Sequence, residues 1–285
     1  MKKIYGWFRK LPKQIQDSIF FSITIIGFIS TIFTILGISL NDITTIAIWI
    51  RIVAVFAFAI LLMFGCYLAI GKIYKESVTL TIAHTPIEIS CGDIFKTPGL
   101  KVIGCDNHFD TRIDDIVISK KSLHGKLVLE HGDINAIREK VEEVAIKEGL
   151  EKDSDGLYNF PLGTIIRYDS SIDGQTYLML AMAELNDKYE VHTNMSKYEL
   201  MLMKMWKEIS RVYASYDVVL PILGAGISRF DDGPKSKDAL LRCMLCTFNS
   251  SGVKLNSKIK IVIYGSTEEF HLYEYKDIFS GILKN

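Results

Sequence analysis

The hydrophobic pattern changes character near residue 75. From Ile19 to Leu40 no position is charged, a run of 22 residues. About 20 apolar residues suffice for a helix to cross a bilayer. Asn41-Asp42 breaks the run. A second apolar stretch extends from Ile43 to Gly71 with Arg51 as its one charge, and Ile52–Gly71 is long enough to span alone. Two such runs in close succession predict a transmembrane helical hairpin. A cleaved signal peptide would have a shorter apolar core and no second run behind it. Arg51 then lies near the far interface, where a long basic side chain reaches back to water.

Beyond residue 75 the pattern alternates between strand and helix periods. Strand-like runs are Val78–His84, Ile87–Ser90, Lys101–Cys105, Gly125–Glu130, Gly163–Tyr168, Thr176–Leu185, Asp217–Leu223 and Ile259–Tyr264. The two runs either side of Ser171-Ile172-Asp173-Gly174 predict a hairpin. Asp133 is placed to cap a helix reaching Lys147, with Ile134, Ile137, Val141 and Val144 on one face and Gly149 as its stop. Ser196-Lys197-Tyr198-Glu199 has the spacing of a capping box. Leu202, Trp206, Ile209 and Tyr213 follow it at helical spacing. A third helix is expected from about Ser236 to Phe248. Strands alternating with helices predict an α/β fold, a mixed sheet with helices on both faces. The expected division is a two-span hairpin, 1–75, and one globular domain, 76–285.

Charge sharpens that division. The chain is neutral, with 33 Lys and Arg against 33 Asp and Glu. Yet eight basic side chains precede residue 76 (Lys2, Lys3, Arg9, Lys10, Lys13, Arg51, Lys72, Lys75) against two acidic ones, Asp17 and Asp42. The globular part is therefore mildly acidic, which argues against a nucleic-acid partner. Basic residues flank the two spans on their outer sides, which predicts both termini in the cytoplasm at the inner membrane. Trp7, Phe8, Trp49 and Tyr74 fall where interfacial aromatics lie. In that reducing compartment Cys91, Cys105, Cys243 and Cys246 are expected as thiols. Cys243-x-x-Cys246 lacks further ligands in pattern and reads as two buried thiols on one helix face, not a metal site. Two helices enclose no channel by themselves, so a pore would need a homo-oligomer.

The chemistry is concentrated in loops that follow strands. Leu220-Pro221-Ile222-Leu223 runs into Gly224-Ala225-Gly226-Ile227-Ser228-Arg229-Phe230, where glycines let backbone amides approach an anion. Asp93 and Ile94 follow the strand ending at Ser90. An acidic residue there can accept from an adenine amino group, or cap a turn. Asp106-Asn107-His108-Phe109-Asp110-Thr111 follows the Lys101 strand. Lys120-Lys121-Ser122-Leu123-His124-Gly125 is a further polar loop. Open α/β sheets bind ligands beyond such strand ends. No Ser-His-Asp arrangement is assigned from spacing.

In order along the chain, these motifs resemble those of macro domains, which bind ADP-ribose. Two spans ahead of such a domain, with the Phe109-Asp110-Thr111 and Leu123-His124-Gly125 pair, resemble the membrane-anchored macro effectors of bacterial Thoeris antiphage defence. The resemblance implies that Asp93 and Ile94 meet adenine and that Asn107 lies near the distal ribose. It places Ser122, Leu123, His124 and Gly125 at the first diphosphate loop. It places Gly224, Ala225, Gly226, Ile227 and Ser228 around the diphosphate and distal ribose, and Phe230 near the distal ribose or adenine. In an acidic domain, phosphate binding must then come from local amides and from Lys120, Lys121 or Arg229. The resemblance implies a TIR-domain partner that consumes NAD and makes an ADP-ribose-derived signal, amino-acid conjugates included, with no separate cofactor. Binding would then trigger disruption of the lipid bilayer and cell death. Two departures count against catalysis. Lys120–Gly125 replaces a glycine-rich loop, and Cys105-Asp106-Asn107-His108 replaces an Asn-Ala-Ala-Asn run. A membrane-tethered ADP-ribosyl hydrolase is the alternative, and a plain anchor with an empty fold is a third reading.

Overall fold

The computed structural model describes residues 11, 13–35, 48–71, 77–115, 118–185, 191–226 and 229–265. They form two compact units, one of residues before 77 and one of 77–265. The expected turn at Asn41-Asp42 and the residues Lys2, Lys3, Trp7, Phe8, Arg9, Lys10, Lys72, Tyr74 and Lys75 lie outside the described residues.

The first unit is a pair of helices packed side by side, α1 (Lys13–Ile35) and α2 (Ile48–Gly71). Among the described residues one stretch, Ile15–Ile32, is long and apolar enough to cross a membrane; the apolar stretch Val55–Gly71 is shorter. The expected pair of full spans is thus matched by one stretch of sufficient length. Phe20, Phe28, Phe56 and Leu61 face outward. Hydroxyls in α1 are spent within the helix: Ser22, Thr24, Thr31 and Thr34 each donate to the carbonyl four residues back. That removes the cost of carrying them into an apolar medium.

The second unit is built on a nine-stranded mixed sheet. Its strands are β1 (Ser77–Ile82), β2 (Thr85–Gly92), β3 (Leu100–Asp106), β4 (Ile165–Asp169), β5 (Thr176–Leu185), β6 (Val191–Thr193), β7 (Val218–Pro221), β8 (Arg229–Phe230) and β9 (Ile259–Tyr264). The order is β1-β2-β9-β7-β3-β5-β6-β8, with β4 paired to β5. Neighbours in the central run β2-β9-β7-β3-β5 are all parallel. Parallel strands are buried on both faces, which explains the nearly continuous apolar runs at 218–223 and 259–263. Pro86 lies within β2 on the side that pairs with the edge strand β1. Asp217–Leu223 was expected as one strand; only Val218–Pro221 is extended, because the chain begins to turn at Leu223.

Helices cover both faces. On one lie α3 (Leu123–Lys126), a π-helical turn over Leu127–His131 and α4 (Ile134–Glu148). Ile137, Val141, Leu127 and Val128 pack there with Ile103, Cys105 and Tyr177. The segment Gly125–Glu130, expected as a strand, is therefore helical. A short apolar run does not distinguish the two states; here Ser122 accepts from the Gly125 amide and starts a helix. On the other face lie α5 (Met195–Val212) and α6 (Lys237–Ser250). Trp206 meets Phe248 edge-on at 5.0 Å and donates to Thr247 Oγ1. Asn194, not Ser196, caps α5, accepting from Lys197 N at 2.9 Å. Within α6 Cys243 is buried but Cys246 is exposed, so the expected pair of buried thiols is one.

The start and stop of α4 follow the sequence closely. Asp133 Oδ1 accepts from the amides of Asn135 and Ala136, and Gly149 closes the helix at φ +68°. Replacing such a cap costs about 1 kcal/mol. Asp133→Ala should lower the denaturant-unfolding free energy of the full chain by about that amount; no change would mean the cap is idle.

Candidate functional site

Because β2, β9, β7 and β3 run the same way, the loops that follow them emerge at one edge of the sheet. That edge gathers Asp93-Ile94 after β2, Asp106-Asn107 after β3, Ile222–Gly226 after β7 and Tyr264 at the end of β9. The turn after Asp93 lies against β7. The 122–125 loop joins the same edge through His124, whose Nδ1 is 3.7 Å from Asp106 Oδ2.

Most of the expected residues have a definite local setting. Asp93 Oδ1 accepts from Phe95 N at 3.0 Å, capping a 3-10 turn over Ile94–Lys96. The Ile94 side chain is buried in the core beneath. Ser122 both accepts from Gly125 N and donates to Ser119 O at 2.7 Å, so its hydroxyl holds its own turn. Leu123 packs against the core. His124 is 5% exposed, buried against Asp106. Gly125 is required by space: a Cβ there would lie 2.2 Å from the Ser119 carbonyl oxygen.

The loop after β7 turns at Gly224, where φ is +78°. A Cβ at Gly224 would meet the Phe230 ring at 3.4 Å. Phe230 is buried and stands edge-on to Tyr198 at 5.7 Å. The Tyr198 hydroxyl donates to the Leu223 carbonyl at 2.8 Å. Phe230 and Tyr198 thus shape the loop from below. Ala225 is half-buried, and Gly226 is exposed with open space where a side chain would go. Ile227 and Ser228 lie outside the described residues. Arg229 contributes backbone to β8, a two-residue strand between the loop and α6, and α6 begins where the sequence predicts it, with Ser236 as its cap.

Asn107 is buried, its Nδ2 donating to Asn159 Oδ1 at 2.7 Å and its amide to Ala183 O. Asp106 organises the loop before it leaves the sheet. Its Oδ1 accepts from His108 N at 2.9 Å and from Asp110 N at 3.3 Å. Asp110 in turn accepts from Arg112 Nε at 2.7 Å. His108 Nδ1 is 3.0 Å from the Tyr158 carbonyl. Lys120 pairs with Asp115 at the surface, both side chains about half exposed. Burial pushes the Cys105 thiol well up, with Asp106 adding to the effect, so it stays protonated.

Four residues of this edge were not singled out from sequence: Asp106, Asn159, Tyr198 and Tyr264. Asp106 stood inside a quoted motif. Tyr264 is 71% exposed at a strand end, with Lys126 Nζ 5.5 Å from its ring centre. An exposed aromatic ending a buried strand was the available clue. Asn159 and Tyr198 act across long sequence separations and left none.

The sheet order, the helices on both faces and the loops gathered at one edge define a macrodomain-like fold. A mutant of the Oceanobacillus iheyensis macrodomain superposes with a TM-score of 0.50 at 11% identity, covering 74% of this chain and 99% of that one. A second mutant of it, with ADPR, gives 0.50 at 13% identity, covering 73% and 100%. The family described as "Thoeris protein ThsA, Macro domain" matches residues 87–264, and the chain belongs to that family. It is 28% identical over 218 residues to the Thoeris protein ThsA of Bacillus amyloliquefaciens (strain Y2), spanning 73% of this chain and 72% of the relative.

Two measurements probe the 119–125 loop. Gly125→Ala forces backbone apart and should cost about 2 kcal/mol of stability, read by chemical denaturation. His124 gives a pH test. Burial holds its pKa below the ordinary value against the opposing pull of Asp106 and Asp110. The folded ring stays neutral where the unfolded chain takes up a proton near pH 6.5. Its contribution to stability is therefore complete above that pH and declines as pH falls through and below it. Denaturation midpoints between about pH 7.5 and 5.5 should show this decline, flattened in His124→Gln; identical slopes would assign the effect elsewhere.

Proposed function

We propose that the chain is a ligand-gated membrane effector of antiphage defence. In this reading residues 76–285 bind an ADP-ribose-derived nucleotide, amino-acid-conjugated ADP-ribose among the candidates. Residues 1–75 place the chain in the inner membrane as a two-span hairpin with both termini cytoplasmic. The nucleotide comes from a TIR-domain enzyme that consumes NAD. Its binding changes how copies of the hairpin assemble into an oligomer, and the assembly disrupts the bilayer and kills the infected cell. A ligand shifts such an assembly only by its different affinity for the two states.

The observation that carries this reading is the convergence of the Asp93, Asn107, Ser122 and Gly224 loops at one edge of the parallel central strands in a Thoeris ThsA macro domain. The ligand class is supported by the similar macrodomain with ADPR. The amides of Gly224 and Gly226 suit a diphosphate, and the Asp93 turn suits an adenine edge. The domain is acidic overall, so an anion must be held by local amides, not by a general field.

The test uses the full chain in dye-loaded liposomes of bacterial lipid. ADP-ribose or an amino-acid conjugate should release dye from wild type. Gly226→Glu fits the open space at that position and sets a carboxylate against the diphosphate. Asp93→Ala removes the proposed adenine contact. Each should abolish release, with thermal melting of the Gly226 variant unchanged. Should both variants fold and respond at wild-type ligand concentrations, the site is elsewhere. Release of ADP-ribose from a modified protein in the same samples would favour the tethered hydrolase instead.

A further inference from the structure

His131 closes the π-helical turn that follows the 122–125 loop, and it is gripped at three points. Its carbonyl accepts from Ser170 Oγ at 2.5 Å. Its ring Nδ1 donates to Asp173 Oδ2 at 2.9 Å. Its ring face lies flat on Phe95, the centroids 4.3 Å apart and the planes 8° from parallel. The first two grips come from the turn between β4 and β5. Asp173 is itself fixed, because the hydroxyl of Tyr177, a fully buried residue of β5, donates to the same Oδ2 at 2.6 Å. Burial pulls the Asp173 carboxyl the other way, but bonds from Tyr177, the Gln175 amide and His131 hold its pKa below the ordinary value. It is therefore an ionised acceptor at pH 7, and the plane of the imidazole is set from β5.

Phe95 carries that setting to the candidate site. Its amide is the donor that Asp93 Oδ1 accepts, at 3.0 Å. The 3-10 turn behind Asp93 is only three residues long. So short a turn is fixed by what its side chains pack on. Ile94 is buried beneath it, and the Phe95 ring lies on His131 with Tyr177 at 6.3 Å. If the Phe95 ring shifts, the amide that holds Asp93 shifts with it. A binding group is only as precise as the packing that supports it.

Resting on the adenine contact proposed above for Asp93, we infer that His131 is a positioning residue of the nucleotide site. Its ring holds Phe95, and through the Phe95 amide it holds the Asp93 carboxylate at the angle that reads the adenine amino group. Its effect falls on which base is accepted, not on whether phosphates bind.

The experiment is calorimetric titration of the detergent-solubilised full chain with two probes, ADP-ribose and inosine diphosphate ribose. The second has a carbonyl where adenine has its amino group. Wild type should prefer ADP-ribose. In His131→Ala that preference should fall by about three- to tenfold, the worth of one aromatic stack. A general loss of structure would weaken both ligands alike and leave the ratio. His131→Phe keeps a ring on Phe95 and should recover most of the preference. Should His131→Ala not fold, Phe95→Leu parts the same stack from the other side and should give the same fall. An unchanged ratio in a folded variant overturns the role of His131, as does a ratio that stays low in His131→Phe. Wild-type binding with no preference between the two bases overturns the Asp93 contact on which the inference rests. Binding of neither probe overturns the ligand reading itself.

Discussion

The constraint on which the site depends is the common direction of five adjacent strands. Parallel strands require crossovers, and each crossover begins at the same edge of the sheet. Residues more than 100 positions apart, Asp93 and Gly224 among them, are delivered to one place by that rule alone. The two helical layers then fix the loops from either side. On one, Ser122 and Gly125 seat the 119–125 turn against its own backbone. On the other, Tyr198 reaches from α5 to hold the Leu223 carbonyl. The site is made of loops, one held by its own hydrogen bonds and one held from the helix beneath it.

The edge handles charge in an unusual way for a site meant for an anion. Its acidic side chains are not removed. Asp93 and Asp106 are each half committed to backbone amides, which holds one oxygen and leaves the other to the surroundings. Asp110 is closed off by Arg112. In the proposed reading, an anion is held by the amides of the glycine loop and not by side-chain charge.

Much of the fold was legible because it rests on local rules. The α4 helix was readable from Asp133, the 3.6-residue apolar spacing and Gly149. β9 matches the expected Ile259–Tyr264 because a β-rich run between turns has few alternatives. The failures share a cause. Gly125–Glu130 read as a strand because consecutive apolar residues satisfy either state until tertiary packing chooses. β6 and β8 are too short to leave a periodic trace. For the site, the glycine loop and Asp93 were visible as motifs. The burial of His124 against Asp106 and the pairing of Asn107 with Asn159 were not, since they arise from contacts with residues 18 to 52 positions away. The apolar front was legible by composition, which also marked the boundary near residue 75.

The glycine loop hands over to β8, a strand of two residues paired to a strand of three at the far end of the sheet. Strand ends of this length are the first part of a domain to exchange their amide protons, at a small fraction of the free energy of global unfolding. One wall of the candidate edge thus hangs on one of the shortest pairings in the sheet, while the opposite wall is rooted in its central strands. In the proposed reading, that rim is the part of the domain that yields first to an incoming ligand, leaving the core of β3, β7 and β9 undisturbed.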